Sequence, residues 1–326
     1  MERRNFIAGV VLALGARPSH GRAPAGARIW RIGYLTPTDI PMSTLVGATA
    51  LGELGYVEGR TARIEVRSAQ NNFGRLPELA ADLIQTRVDI IVAVSPPAIL
   101  AAGRATKTIP VVMAFWGGEG LIESGLVASF SRPAGNVTGV YMLADELDLK
   151  RLALLIEAVP SARTFAMLNP GEGWNVSKLT DDMRQVVERH GARFVVSDTP
   201  APDRYDETFG AMSNAKVDAV LVPSFPRFYL EHRSIVGAAA RHRIPAMYEW
   251  GDIARDGGLI AYGPVFADLS RRVAIYVDKI LNGARPGDLP VEQPTTFELV
   301  INLKTIKALG LTIPEPLRLR ADELIQ

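Results

Sequence analysis

The stretch "DIIVAVSPPAILAAG", Asp89 to Gly103, changes character at its middle. Residues 89–94 are a short apolar run rich in β-branched side chains, the composition of a strand buried on both faces. Ser95, Pro96 and Pro97 interrupt it, and residues 98–105 read as a helix. Ser suits an N-cap, and Pro suits the first helical turn, where its missing N–H costs nothing. A buried strand running straight into a helix is half of a βαβ unit. The helix start also directs unpaired N–H groups and the positive end of its dipole outward. Ser95 is therefore either a plain cap or part of a site for a carboxylate.

Working outward, the same alternation covers nearly the whole chain beyond residue 28. Strands are expected at residues 29–36, 62–69, 109–115 and 136–143, with helices at 42–55 and 76–87. Leu76, Leu79, Ala80, Leu83 and Ile84 put one apolar stripe on the latter. A second series follows, with helices at 146–159, 176–189, 205–214, 228–241 and 267–281. Its strands are expected at 164–170, 193–198, 217–224, 244–250 and 259–264. Repeated βα units predict parallel sheets covered by helices on both faces. Two such series exceed one compact sheet and suit two doubly wound α/β lobes.

Ligands of such sheets sit where strands end and the chain turns into the next helix. The candidate residues are those ends: Thr36, Thr38, Ser95, Phe115 and Trp116 in the first series, and Asn169, Trp174, Ser224, Phe225, Tyr248 and Glu249 in the second. The aromatic members, with Trp250, are costly to expose and converge on an apolar-walled cleft; alternatively they plug the lobe interface. The hydroxyls and the Asn169 amide would orient a solute. Glu249 would receive an ammonium group or face solvent.

Composition narrows the function classes. The chain has 326 residues, 48% hydrophobic and 22% charged, and a net charge of +1. Four Arg and one Glu fall in the first 27 residues, so the remainder carries −2, which argues against a nucleic-acid partner held by a basic surface. The absence of Cys excludes disulfides and thiolate chemistry. There is no dinucleotide or phosphate-loop glycine motif and no nucleophile elbow. The four His lie apart from any metal-ligand spacing. Glu119 and Glu249 are strand-end carboxylates without the rest of a catalytic set. No enzyme activity, cofactor or metal is expected. The start, "MERRNFIAGVVLALG", pairs basic residues with an apolar stretch too short to span a bilayer, which reads as an export signal over residues 1–27. Arg3-Arg4 resembles a twin-arginine signal with an incomplete consensus.

Longer motifs carry a family likeness. "RIGYLTP", "LGELGYVEGRTARIEVRSAQNNFGRLPELAADLI" and "VDIIVAVSPPAILAAGRATKTIPVV" resemble the N-terminal half of the ABC-transporter substrate-binding family, which includes tryptophan-binding members. "GLVASFSRPAGNVTGVYML", "AAARHRIPAMYEW", "DGGLIAYGP" and "RRVAIYVDKILNGARPGDLPVEQPTTFELVINLKTIKALGLTIP" extend the resemblance through the second half. It implies the class I periplasmic-binding-protein fold: two lobes joined by a three-segment hinge and closing on a ligand. By that analogy the first lobe is 28–142 plus 264–293 and the second 143–263 plus 294–326. It further implies an exported, periplasmic, monomeric receptor that takes a small solute, an aromatic or aliphatic amino acid or carboxylate, to an ABC permease in the inner membrane. "FWGGEGLIESG", "NPGEGWN" and "PSFPRF" depart from the family at strand ends, so the ligand does not transfer. Two rivals remain: the effector core of a sugar-type transcription regulator, for which the leader is too short to hold a DNA-binding domain, and an unrecognised two-lobe enzyme.

Overall fold

The computed structural model describes residues 28–117, 120–171, 177–199 and 201–326; the expected leader lies outside them. The chain runs β1 (Trp30–Thr36), α1 (Ala48–Glu53), β2 (Ala62–Ser68), α2 (Leu76–Gln85), β3 (Ile90–Val94), α3 (Ser95–Ala105), β4 (Val111–Trp116) and β5 (Val137–Tyr141). It continues with α4 (Ala144–Ala158), β6 (Thr164–Asn169), α5 (Ser177–Arg189), β7 (Arg193–Asp198), α6 (Tyr205–Asn214), β8 (Ala219–Leu221), α7 (Pro226–Leu230), α8 (His232–Arg241) and β9 (Ala246–Tyr248). Last come α9 (Gly251–Arg255), β10 (Ile260–Pro264), α10 (Phe266–Leu281), β11 (Phe297–Asn302), α11 (Leu303–Leu309), α12 (Glu315–Leu319) and β12 (Glu323–Ile325).

These strands form two sheets, ordered β2-β1-β3-β4-β5 and β12-β11-β10-β9-β8-β6-β7. The alternation of side chains along β3 shows why each needs two covers. Ile90, Val92 and Val94 face one apolar layer, and Ile91 and Ala93 face another. In the first sheet α2 and α3 supply one cover, and α1 with α10 supply the other. In the second, α4, α5, α11 and α12 pack on one face and α6, α8 and α9 on the opposite one. The doubly wound, two-lobed α/β architecture is thus present.

The sheets are not wholly parallel, as the βα repeat predicts. β10 and β11 are antiparallel, with Pro264 opposite Phe297. The cause is topological: after β10 the chain leaves for the first sheet, where α10 packs on α1, β3, β4 and β5. It returns beside its point of departure and must run back along β10. On the way Glu292 bonds the edge strand β5, its N–H donating to the Gly139 carbonyl and its own carbonyl accepting from the Tyr141 N–H.

Two expected helices also differ. Residues 42–55 contain a 3-10 turn, Met42–Thr44, and then α1, because Gly47 between them takes φ of 80°. Its N–H donates to Ser270 Oγ of α10 at 2.7 Å, which ties the break to the first lobe's cover. Residues 228–241 are divided at Glu231 into α7 and α8. α9, α12 and β12 carry too few residues for a period to register in the sequence. Among the described residues no helix is long and apolar enough to cross a membrane.

Candidate functional site

Ends of β3, β4, β8 and β9 converge on a cavity between the sheets. Val94, Ser95, Phe115 and Phe266 line it from the first sheet and its α10 cover, and Ser224, Phe225, Tyr229, Glu249 and Trp250 from the second. The first turns of α4 add Asp145 and Asp148. Its volume of about 90 Å³ is ample for several waters, each needing roughly 10–15 Å³, and so for a small solute.

Backbone conformation decides which aromatic side chain reaches this space. Pairing of β4 with β5 shifts register between Ala114 and Trp116, a bulge at Phe115, whose φ is 69°. An extra residue in one strand re-aims the side chains that follow. Phe115 therefore turns to the cavity, and Trp116 is buried in the layer beneath α3 with Leu121 and Val127. Ser95 also has φ of 69°, a conformation that disfavours residues other than Gly. It starts α3 without a capping bond from its side chain, so the plain-cap reading is not met. Its Oγ is buried with no hydrogen-bond partner.

Rings from the two lobes meet across the cavity. Phe266 stacks on Tyr229 with centroids 4.8 Å apart and meets Trp250 edge-on at 5.1 Å. Phe115 approaches Trp250 at 6.1 Å, and Phe73 approaches Phe225 at 6.4 Å. Gly117 is needed at this seam, since a Cβ there would lie 2.6 Å from the Ala144 Cβ. The lobes are in contact around the cavity: this is a closed arrangement.

Beneath the second wall lies buried charge. Arg151 is wholly buried on α4 and donates through Nη2 to Asp148 Oδ1 at 2.6 Å and through Nη1 to the Tyr262 carbonyl at 3.1 Å. Burial pushes the Asp148 carboxyl up, against the pull of Arg151 and of the Ser224 backbone. Glu249, 4% exposed, is pushed up to about 7, first by burial and then by Asp148, while Arg151 and hydrogen bonds from Ser224 and Trp250 draw it down. Its Oε1 has no partner.

Of the expected site residues, Ser95, Phe115, Ser224, Phe225 and Glu249 come together at the cavity. Thr36 is buried with Oγ1 3.4 Å from the Arg67 carbonyl, and Thr38 is buried off the cavity. Trp116 and Tyr248 belong to apolar layers. Asn169 donates to Asp198 Oδ1 at 2.7 Å, away from the cavity. Trp174 and Glu119 lie outside the described residues. Asp145, Asp148, Arg151, Tyr229 and Phe266 are additions. A signal for two of them exists: Asp148 and Arg151 share the helical stripe of Leu152 and Leu155, where charge is out of place unless paired. Among the described residues no cluster of side chains suits a metal ion.

The family described as ABC transporter substrate binding protein matches residues 46–325. A tyrosine-binding protein of Clostridioides difficile is 26% identical over 263 residues, covering 80% of this chain and 74% of that protein. The crystal structure of an ABC domain in complex with L-Trp from Streptococcus pneumonia is 25% identical, with a TM-score of 0.75 over 91% of this chain and 100% of its own. A conserved domain protein from Vibrio cholerae shares the fold with a TM-score of 0.76 at 24% identity, over 91% of this chain and 100% of its own.

Proposed function

The chain belongs to the ABC transporter substrate binding protein family, and from that membership we propose that it captures a small organic solute between its lobes and delivers it to a membrane permease. The solute class is an aromatic or aliphatic amino acid or carboxylate. The receptor works in the periplasm, exported by the leader, as a monomer without catalysis. The lobes are residues 28–142 plus 264–293 and 143–263 plus 294–326, and they bend at the three crossings between the sheets. A tyrosine-binding relative and an L-Trp-bound structure support the solute class.

One observation carries the reading. Two buried polar atoms without partners line the cavity, Ser95 Oγ from one sheet and Glu249 Oε1 from the other. A buried polar group left unpaired costs about 1–3 kcal/mol, so a guest bonding both is favoured only where the lobes are shut. Closure is then where affinity arises.

The test is a thermal-shift screen of the purified full chain against aromatic and aliphatic amino acids and their acids. A true ligand at a hundredfold excess over Kd stabilises the native state by about 2.7 kcal/mol. Small-angle scattering adds a second arm: Gly117→Ala puts a methyl against Ala144 and should hold the lobes apart. A panel that never raises the melting point, or a hit whose affinity survives that wedge, defeats the reading.

A further inference from the structure

We propose that Glu249 is the receptor for a primary ammonium group, so that the solute is an organic cation carrying N–H donors on an apolar body. This deepens the receptor reading and rests on it. Among the described residues no Lys, Arg or His lines the cavity, whereas Asp145, Asp148 and Glu249 do. Behind Asp148 and Glu249 stands Arg151, whose guanidinium is committed to Asp148 and the Tyr262 carbonyl. Once ionised, a carboxylate oxygen accepts and cannot donate, so the ionised form of Glu249 leaves its unpartnered Oε1 to be met by an N–H. The rings of Tyr229, Trp250, Phe115 and Phe266 supply an apolar wall for the body of the solute.

The surroundings of Glu249 on every side agree. α4 supplies Asp148 and Arg151, and Asp145 at the cavity edge. β10 offers Gly263, where any Cβ would strike the Glu249 carbonyl at 2.2 Å, and so brings no charge. Beyond Gly251, Glu298 is held by Arg255 at 2.6 Å. Among the described residues the opposite lobe contributes the hydroxyls of Thr44 and Ser95 and the rings of Phe115 and Phe266.

Proton exchange is the consequence. Burial keeps the Glu249 carboxyl protonated up to about pH 7 in the empty site. When the ammonium arrives, the carboxyl O–H breaks, its proton goes to solvent, and a carboxylate–ammonium pair remains. Affinity for a cation should therefore strengthen with rising pH and level off above about 7.

The test is titration calorimetry of the full chain with three probes that share a phenyl body: phenethylamine, L-phenylalanine and hydrocinnamate. The two amines should bind and the acid should not. Between about pH 5 and about pH 8 amine affinity should rise roughly a hundredfold, and buffers of different ionisation heat should report one proton released. Glu249→Gln should weaken the amines at least about tenfold and flatten that slope; the proton count on the unaltered chain tests the same point should the variant not fold. Hydrocinnamate binding as well as phenethylamine, affinity falling as pH rises, or an unaffected Gln variant each overturn the proposal and leave the receptor reading standing. If none of the three binds while other solutes raise the melting point, the ammonium assignment alone fails. If no solute binds, both fall.

Discussion

Ser95 and Phe115, the first lobe's strand-end contributions, are held at φ of 69° with no charge among the described residues of their cavity wall. Across from them, Glu249, Asp148 and Arg151 sit on unstrained backbone and bring buried charge. One wall stores its cost in conformation and the other in desolvation. Both costs are tolerated at binding sites because a guest can offset them, the first by contact with the re-aimed side chains and the second by pairing. The two walls should accordingly fail in different ways when altered.

The largest effect is expected in the charged wall. Arg151→Met keeps bulk but leaves Asp148 buried without its guanidinium and Glu249 without its nearest counter-charge. Breaking a buried pair from one side costs about 3–5 kcal/mol, to be read from urea unfolding. An unchanged midpoint would show that the charges are not dry.

The second effect is pH-dependent. Glu249 has its carboxyl raised from 4.5 to about 7 in the fold, so the native state holds this proton more tightly than the unfolded chain. Stability from this group is complete below about pH 4.5 and is lost as pH climbs to about 7, a total of about 3 kcal/mol. The Asp148 carboxyl, also raised, acts with the same sign. Glu249→Gln should therefore gain on the unaltered chain by about that amount between the two ends. Paired denaturation curves at both ends check it, and a constant difference would contradict it.

The smallest effect tests the strained wall. Ser95→Gly and Ser95→Ala both remove the orphan hydroxyl, but only Gly accepts φ of 69° freely. The Gly variant should be the more stable by about 1 kcal/mol, measured as a difference in melting temperature. Equal melting would mean that the backbone relaxes without cost.

Legibility in sequence followed the same divide. Residues 193–198 and 205–214 match β7 and α6 to the residue, since their apolar spacing is set locally. The strand-end rule likewise brings Ser95, Phe115, Ser224, Phe225 and Glu249 to one space. What escaped depends on contacts distant in sequence. The bulge that turns Trp116 inward arises from pairing with β5, and the break at Gly47 from an acceptor on α10. Tyr248 and Glu249 are neighbours on opposite faces, and only the position of α4 tells which face is the cavity. Phe266 is remote from the other lining residues until the chain's return to the first sheet places it there.

That return has a bearing on how the molecule is made. Every strand of the first sheet has been synthesised by Tyr141, yet α10, which seals one of its faces, begins only at Phe266. At about 5–20 residues per second a ribosome takes roughly ten seconds to bridge that interval. Throughout it, the part of that sheet face which α1 does not reach waits uncovered over β3, β4 and β5. It is an opening for holdase chaperones or for self-association, and a nascent chain arrested before α10 should be the stickiest of any length.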